Sequence, residues 1–369
     1  MKLIVVQTLP ALNSGGVERG TIEVAGELVK RGHRAIVISA GGQLVDELTG
    51  VGGEHIDLGI GKKSLSSLLL IRKLRKIIQA SGANILHSRS RLPAWISYLA
   101  WRAMDKDTRP AFVTSVHGPY SVNRYSKIMT RGEGVIAISD FIHRYIGDNY
   151  PDVDLSKISV IPRGINPVKY PYGYKPSPEW LNSWQREQPQ LNNRFIITLP
   201  ARITRWKGQQ DFISVIADLK KANINIHGII VGGAEPRRKA YYNELKTLAA
   251  FLGIDKDITF VGHRNDLKEI MSISNLVMSL SREPEAFGRT SLEALGLGIP
   301  VIAYDHGGAS EVLNKLFPQG LVPALDPFAA AKRALEFHSA PPLVPDSNPF
   351  TLANMLDSTL NLYQELASR

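Results

Sequence analysis

Short runs dominated by Ile and Val alternate with longer helical patterns along the whole chain, and this alternation limits the fold more than any other feature. In the first half KLIVVQT, RAIVISA, ANILHS, AFVTSVH, GVIAIS and KISVIP read as strands, separated by helical segments such as GVERGTIEVAGELVKRG. Strands that are apolar on both faces, with helices between them, predict parallel sheets covered on both sides. The stretch PRGINPVKYPYGYKPSPEW, with five prolines and two glycines, breaks the pattern and reads as a linker. Beyond it RFIITLPA, NIHGIIVGG, DITFVGH, NLVMSLS and IPVIAYD restart the alternation, and APPLVPDSNP precedes a last helical pattern. The expectation is an α/β chain with two doubly wound domains, residues 1–166 and 194–345, a linker at 167–193 and a terminal helix at 346–369. Ligands in such sheets bind outside the carboxyl ends of the strands, so two facing domains imply a cleft.

With 369 residues, 44% of them hydrophobic, the chain has apolar material for two cores. Cysteine is absent, which excludes disulfides and thiolate-bound metals and fits a reducing cytoplasm. The opening apolar run is too short for a secretory signal, and no run approaches the roughly 20 apolar residues that span a bilayer. These features read as a cytoplasmic protein, soluble or peripheral at the inner face of the membrane.

The net charge of +10 is uneven: residues 1–166 carry 22 Lys and Arg against 14 Asp and Glu, and the remainder 22 against 20. A basic first half suggests an anionic partner. Within it, residues 62–79 (KKSLSSLLLIRKLRKIIQ) combine an apolar stripe, including Leu65, Leu68, Leu69 and Leu74, with Lys62, Lys63, Arg72, Lys73, Arg75 and Lys76. This reads as a sheet-covering helix with a basic outer face, and as a contact for an anionic membrane surface. No nucleic-acid-binding motif accompanies the charge, so nucleic acid is not expected as a partner.

The segment EPEAFGRTSLEALGLGIPV places two carboxylates, Glu285 and Glu293, around a Phe-Gly pair where a strand gives way to a helix. With Arg289 and Thr290 at the helix start, free N–H groups suit a phosphate. Glu285 on the loop is free to accept sugar hydroxyls, and Glu293 a turn along can accept from a ribose diol. In RFIITLPARITRWKGQQDFI, Arg202 ends a strand and Lys207-Gly208 precedes a helix, so two cations stand ready to neutralise a diphosphate. Gly15-Gly16 after the first strand allows close backbone approach to a ligand, and also reads as a tight strand–helix connection. It is not the spaced dinucleotide fingerprint, which weakens a hydride-transfer reading. The nine histidines are scattered without ligand spacing, so neither a metal nor another cofactor is expected.

Glu285-x7-Glu293 with its Phe-Gly pair, followed by EALGLGIPVIAYDHGGASEV, resembles the nucleotide-sugar motif of GT-B-type retaining glycosyltransferases, specifically glycosyltransferase family 4. SVHGPY, VIAISDFIHRYI, VIPRGIN and the early GGVER extend the resemblance over most of the chain. It implies two Rossmann-like domains and a terminal helix that crosses back to the first. It also implies that Glu293 binds ribose, Glu285 the donor sugar, Arg202 and Lys207 the diphosphate, and the backbone of Phe287, Gly288, Arg289 and Thr290 the sugar and phosphate. Gly15 and Gly16 would border phosphate and acceptor, and His117 would bond a sugar hydroxyl. Arg163 departs from the small polar residue usual in the family. His306 and Glu311 read as cleft-lining or structural. The activity implied is metal-independent transfer from a UDP- or GDP-sugar to a glycan or lipid-linked acceptor in lipopolysaccharide or surface polysaccharide synthesis. The rivals are a sugar-nucleotide epimerase, a phosphorylase with pyridoxal phosphate, and a non-catalytic nucleotide-sugar sensor.

Overall fold

A computed structural model describes residues 1–13, 15–62 and 67–369, with the side chains of residues 67, 68 and 237 left aside. The chain divides into two units, Met1–Pro162 with Ala353–Arg369, and Arg163–Leu352.

The first unit is built on seven strands: β1 (Ile4–Thr8), β2 (Arg34–Ser39), β3 (Glu54–Asp57), β4 (Ile85–Ser88), β5 (Ala111–Val116), β6 (Gly134–Ala137) and β7 (Ile158–Val160). They pair in parallel in the order β3-β2-β1-β4-β5-β6-β7. The reversal of direction between β1 and β4 comes from the helices that cross over: α1 (Gly16–Lys30), α2 (Val45–Gly50), α3 (Ser67–Ser81), α4 (Arg91–Arg102) and α5 (Asp140–Asn149). The runs of Ile and Val are buried because helices cover both faces; Val5, Val6, Ile36, Ile38, Ile85 and Leu86 are all fully enclosed. α3 and α4 close one side, with Leu74, Ile78, Ile96 and Trp101 packed on the sheet.

The second unit begins with α6 (Pro178–Glu187) and continues through six strands: β8 (Phe195–Pro200), β9 (Ile226–Val231), β10 (Ile258–Gly262), β11 (Leu276–Ser279), β12 (Val301–Tyr304) and β13 (Leu321–Val322). Their order is β10-β9-β8-β11-β12-β13, again parallel throughout. The crossovers are α7 (Gln209–Lys221), α8 (Lys239–Phe251), α9 (Leu267–Ser272), α10 (Arg289–Gly296) and α11 (Gly307–Leu316), with α12 (Pro327–Ser339) packed on α7.

The segment read as a linker, 167–193, carries α6 within this unit. Trp180 and Trp184 stack with centroids 5.3 Å apart, and Trp180 Nε1 donates to Asp266 Oδ2 at 2.9 Å. Proline sets the start of the helix and Ser177 caps it, so what reads as a breaker is a helix-initiation signal.

The terminal helix α13 (Leu352–Ala367) lies almost wholly in the first unit. Its Tyr363 is fully buried, with the hydroxyl 2.5 Å from His87 Nδ1, while His87 Nε2 is 2.7 Å from Ser115 Oγ. Arg89, also buried, donates from Nε to Gln7 Oε1 at 2.8 Å and to the Tyr363 hydroxyl. Burial pushes the Tyr363 hydroxyl up to about 12 and holds the Arg89 guanidinium below its usual range.

Candidate functional site

The site grows from the reversal in the second sheet, where β8 and β11 lie side by side. Each strand delivers a loop and then a helix at its carboxyl end. After β8 the chain makes one 3-10 turn, Arg205–Lys207, and enters α7 through Gly208. Gly208 has φ +74°, and a Cβ there would lie 1.8 Å from the Leu280 carbonyl oxygen. Only glycine lets the two loops come this close. After β11 the loop of residues 280–288 reaches α10 through Gly288, also left-handed at φ +81°, where a Cβ would meet Ala309 Cα at 2.7 Å.

This close approach joins the two halves of the predicted motif. Lys207 Nζ donates to Glu285 Oε1 at 2.6 Å, with the side chains only 18% and 13% exposed. Ser281 Oγ donates to the same oxygen, and the Gly308 N–H fixes the Glu285 carbonyl at 2.7 Å. Lys207 Nζ also lies 4.3 Å from the centre of the Trp206 ring. One turn into α10, Glu293 is buried and takes Arg289 Nε at 3.1 Å. No side chain caps α10, and Ser291 Oγ in its buried first turn has no hydrogen-bond partner among the described residues. Two carboxylates, two cations and an open helix terminus therefore share one edge of the sheet. Phe287 is buried and meets Phe350 edge-on with centroids 5.6 Å apart, which anchors the loop before Gly288, while Thr290 is half-buried. Arg202 is exposed on the same loop as Lys207; its carbonyl accepts from Gln209 Nε2 at 2.9 Å, and its side chain has no partner among the described residues.

Residues 14–169 match the family described as Glycosyltransferase Family 4, and residues 182–344 match Glycosyl transferases group 1. A crystal structure of a glycosyltransferase from Rickettsia africae ESF-5 is 33% identical, with a TM-score of 0.88 over 99% of this chain and 98% of that one. The chain is a GT-B glycosyltransferase of group 1, family 4. The fold is shared with Anabaena Alr3699/HepE, crystallised with UDP and glucose, at 20% identity and a TM-score of 0.78 over 99% of this chain and 98% of that one. The lipopolysaccharide core biosynthesis mannosyltransferase LpsB of Rhizobium meliloti (strain 1021) is 31% identical over 113 residues, which is 31% of this chain and 32% of LpsB.

The remaining predicted residues of the glycosyltransferase belong to the first unit. Gly15 and Gly16 are exposed where the loop after β1 enters α1, and the Gly15 carbonyl accepts from the Arg19 N–H at 3.0 Å. His117 directly follows β5 and is half-buried, its N–H donating to the Tyr120 hydroxyl at 3.3 Å. Both positions lie at carboxyl ends of the first sheet. In the basic segment, Lys63 and Leu65 fall outside the described residues, as does the Leu68 side chain. Leu74 and Ile78 of α3 are buried, whereas Arg72, Lys73 and Lys76 are exposed beside Leu69, itself 70% exposed. Among the described residues no three His, Asp or Glu side chains gather in a metal-ligating group, and no helix is long and apolar enough to cross a membrane.

Sequence reasoning missed the supports of the Glu285 loop. Asp211, buried in the first turn of α7, accepts from Arg282 Nη1 at 2.6 Å and from the Tyr304 hydroxyl at 2.8 Å. The Arg282 N–H donates to the Trp206 carbonyl at 2.7 Å, and His306 Nε2 donates to the Ser281 carbonyl at 2.7 Å. Burial, reinforced by the Asp211 carboxylate, holds the Tyr304 hydroxyl protonated far above the usual phenol range. The available signal was an acid near the start of α7 and an Arg just before the carboxylate motif. They are 71 residues apart, and nothing local relates them.

Proposed function

We propose that this glycosyltransferase is a retaining, metal-independent enzyme that moves a sugar from a nucleotide diphosphate donor to a glycan or lipid-linked acceptor in surface polysaccharide or lipopolysaccharide synthesis. The observation that carries the reading is the Lys207–Glu285 pair set beside the open start of α10. The diphosphate takes Lys207, Arg202 and the α10 N–H groups, whose dipole favours negative charge. Glu293 receives the ribose hydroxyls and Glu285 those of the donor sugar. A UDP complex of a protein of this fold and a lipopolysaccharide mannosyltransferase among the relatives support the donor and acceptor classes.

Neither Glu285 nor Glu293 is assigned to attack the anomeric carbon, since each is committed to hydroxyls. The acceptor oxygen attacks from the face that the diphosphate leaves. The bond from the anomeric carbon to the phosphate oxygen breaks, the new glycosidic bond forms, and the departing phosphate takes the acceptor's proton. Lys207, Arg202 and the helix terminus stabilise the charge that grows on the leaving oxygen, the task a metal ion performs elsewhere. Removing one such group costs on the order of 10²–10³ in turnover.

The exposed stripe Leu69, Arg72, Lys73 and Lys76 supports peripheral contact with an anionic membrane on the cytoplasmic side. A hollow of about 410 Å³ on the first unit, lined by Trp95, Tyr98, Arg102, Arg124, Lys127 and Arg131, offers a second basic and aromatic surface.

The decisive experiment is a thermal-shift screen of UDP, GDP and ADP sugars, followed by transfer assays with NMR assignment of the product anomer. A stabilising donor, an α product from an α donor and activity that survives EDTA are expected. Donor hydrolysis without any acceptor product, an inverted anomer, or full activity in both Lys207→Ala and Arg202→Ala rejects the reading.

A further inference from the structure

Two cations beside the open start of α10, Lys207 of the expected diphosphate pair and Arg289 at the head of the helix, are each held by a carboxylate expected to hold sugar hydroxyls. Lys207 is bonded to Glu285 at 2.6 Å and Arg289 to Glu293 at 3.1 Å. A phosphate that takes Lys207 competes with Glu285 for the same ammonium, and a sugar hydroxyl that takes Glu285 competes with Lys207 for the same oxygen. We propose that donor recognition is a partner exchange: the diphosphate draws Lys207 and Arg289 away from Glu285 and Glu293, and only then are the carboxylates released to receive hydroxyls. The inference rests on the donor-site reading and makes these two ion pairs the specificity element within it.

The surroundings suit such an exchange. The side chains of the first pair are 18% and 13% exposed and those of the second 26% and 9%, so water solvates an unpaired group poorly and a replacement partner is required. Glu285 keeps its position when the lysine leaves, because Ser281 Oγ still donates to Oε1 and the Gly308 N–H still holds its carbonyl. Lys207 keeps the face of Trp206, 4.3 Å away, as a second contact for its charge. The consequence is selectivity. A free sugar offers hydroxyls to Glu285 but nothing to Lys207, so where it takes Oε1 it displaces the ammonium without replacing it. An intact nucleotide sugar supplies a partner to all four groups. Phosphate binding and hydroxyl binding are therefore coupled, and by linkage each strengthens the other.

The test uses inorganic pyrophosphate as the probe, titrated calorimetrically into the full-length protein and into Glu285→Gln, Glu293→Gln and Lys207→Ala. Removing a competing carboxylate is expected to tighten pyrophosphate on the order of fivefold, the ratio that a pair worth about 1 kcal/mol gives at 1.4 kcal/mol per tenfold. Lys207→Ala is expected to weaken it. Thermal melts without pyrophosphate establish that each variant is folded, and Glu293→Gln carries the test if Glu285→Gln fails. Unchanged or weaker binding in the glutamine variants, with Lys207→Ala also weaker, overturns the exchange and leaves the donor site standing. Binding by Lys207→Ala equal to the parent overturns both.

Discussion

Asp211 is the point at which the loop carrying Glu285 is fastened to the helix that follows Lys207, and its removal has a calculable cost. The carboxylate is 7% exposed and makes two hydrogen bonds, to Arg282 at 2.6 Å and to Tyr304 at 2.8 Å. Asp211→Ala leaves the buried Tyr304 hydroxyl without its acceptor, at about 1–3 kcal/mol. The Arg282 side chain is 43% exposed, so water replaces much of that contact and its loss adds only about 0.5–1 kcal/mol. The sum of roughly 1.5–4 kcal/mol corresponds to a fall in Tm of about 3–16 °C at the 2–4 °C per kcal/mol usual for a unit of this size. Asp211→Asn keeps one acceptor oxygen and should lose about half as much. Tyr304→Phe combined with Asp211→Ala should cost less than the two single changes summed, because the orphaned hydroxyl is gone. The assay is differential scanning calorimetry of the parent and the four variants, with kcat and KM for the donor measured alongside. Because the Arg282 backbone remains bonded to Trp206, Glu285 moves only slightly, and turnover should fall about tenfold with little change in KM. An Asp211→Ala protein melting within 1 °C of the parent, or strictly additive effects, would refute the reasoning.

Three further outcomes follow from single residues. Gly208→Ala and Gly253→Ala both place a side chain at positive φ, yet a Cβ meets Leu280 O at 1.8 Å in the first and nothing within 4 Å in the second; urea melts should show roughly 1 kcal/mol lost at Gly253 and far more at Gly208. His227 is pushed down to about 4, by burial first and then by the Arg194 cation; Lys220 and Asp257 also face it, and Nε2 lies 2.8 Å from Thr259 Oγ1. A depressed histidine favours the fold while neutral, so stability should be full above pH 6.5 and fall as the pH drops from there towards 4, and His227→Gln should flatten that slope in a pH series of urea melts. Tyr363→Phe removes the hydroxyl that bonds both His87 and Arg89 in a dry core, and calorimetry should register a loss of about 1–3 kcal/mol in the first unit.

What sequence alone conveys here is whatever chemistry is carried by neighbours along the chain. Ile and Val runs bounded by helical periods announce both sheets, and the Glu285–Glu293 spacing announces a loop entering a helix, because each of these is set within about ten residues. The fastening of that loop was not legible. Asp211, Arg282 and Tyr304 come from three elements, and only the parallel pairing of β11 with β8 on one side and β12 on the other brings them into contact. The same holds for α6, where prolines suggest an open connector. Its helix is stabilised by the stacked Trp180 and Trp184 and by Asp266, 86 residues away from Trp180. The ion pairing of Lys207 with Glu285 is likewise invisible until Gly208 lets two loops touch.

The placement of α13 bears on how the chain is made. Residues 163–352 form one uninterrupted stretch, whereas the first unit needs segments from both sides of it. On the ribosome, then, the later-made body has all its parts before the earlier-made one does. Until residues 353–369 emerge, the groove that will take Tyr363 leaves Arg89 and His87 open to water, and the N-terminal sheet waits as an unfinished half. Synthesis halted shortly before the end should yield a protein whose middle resists protease while its beginning is digested.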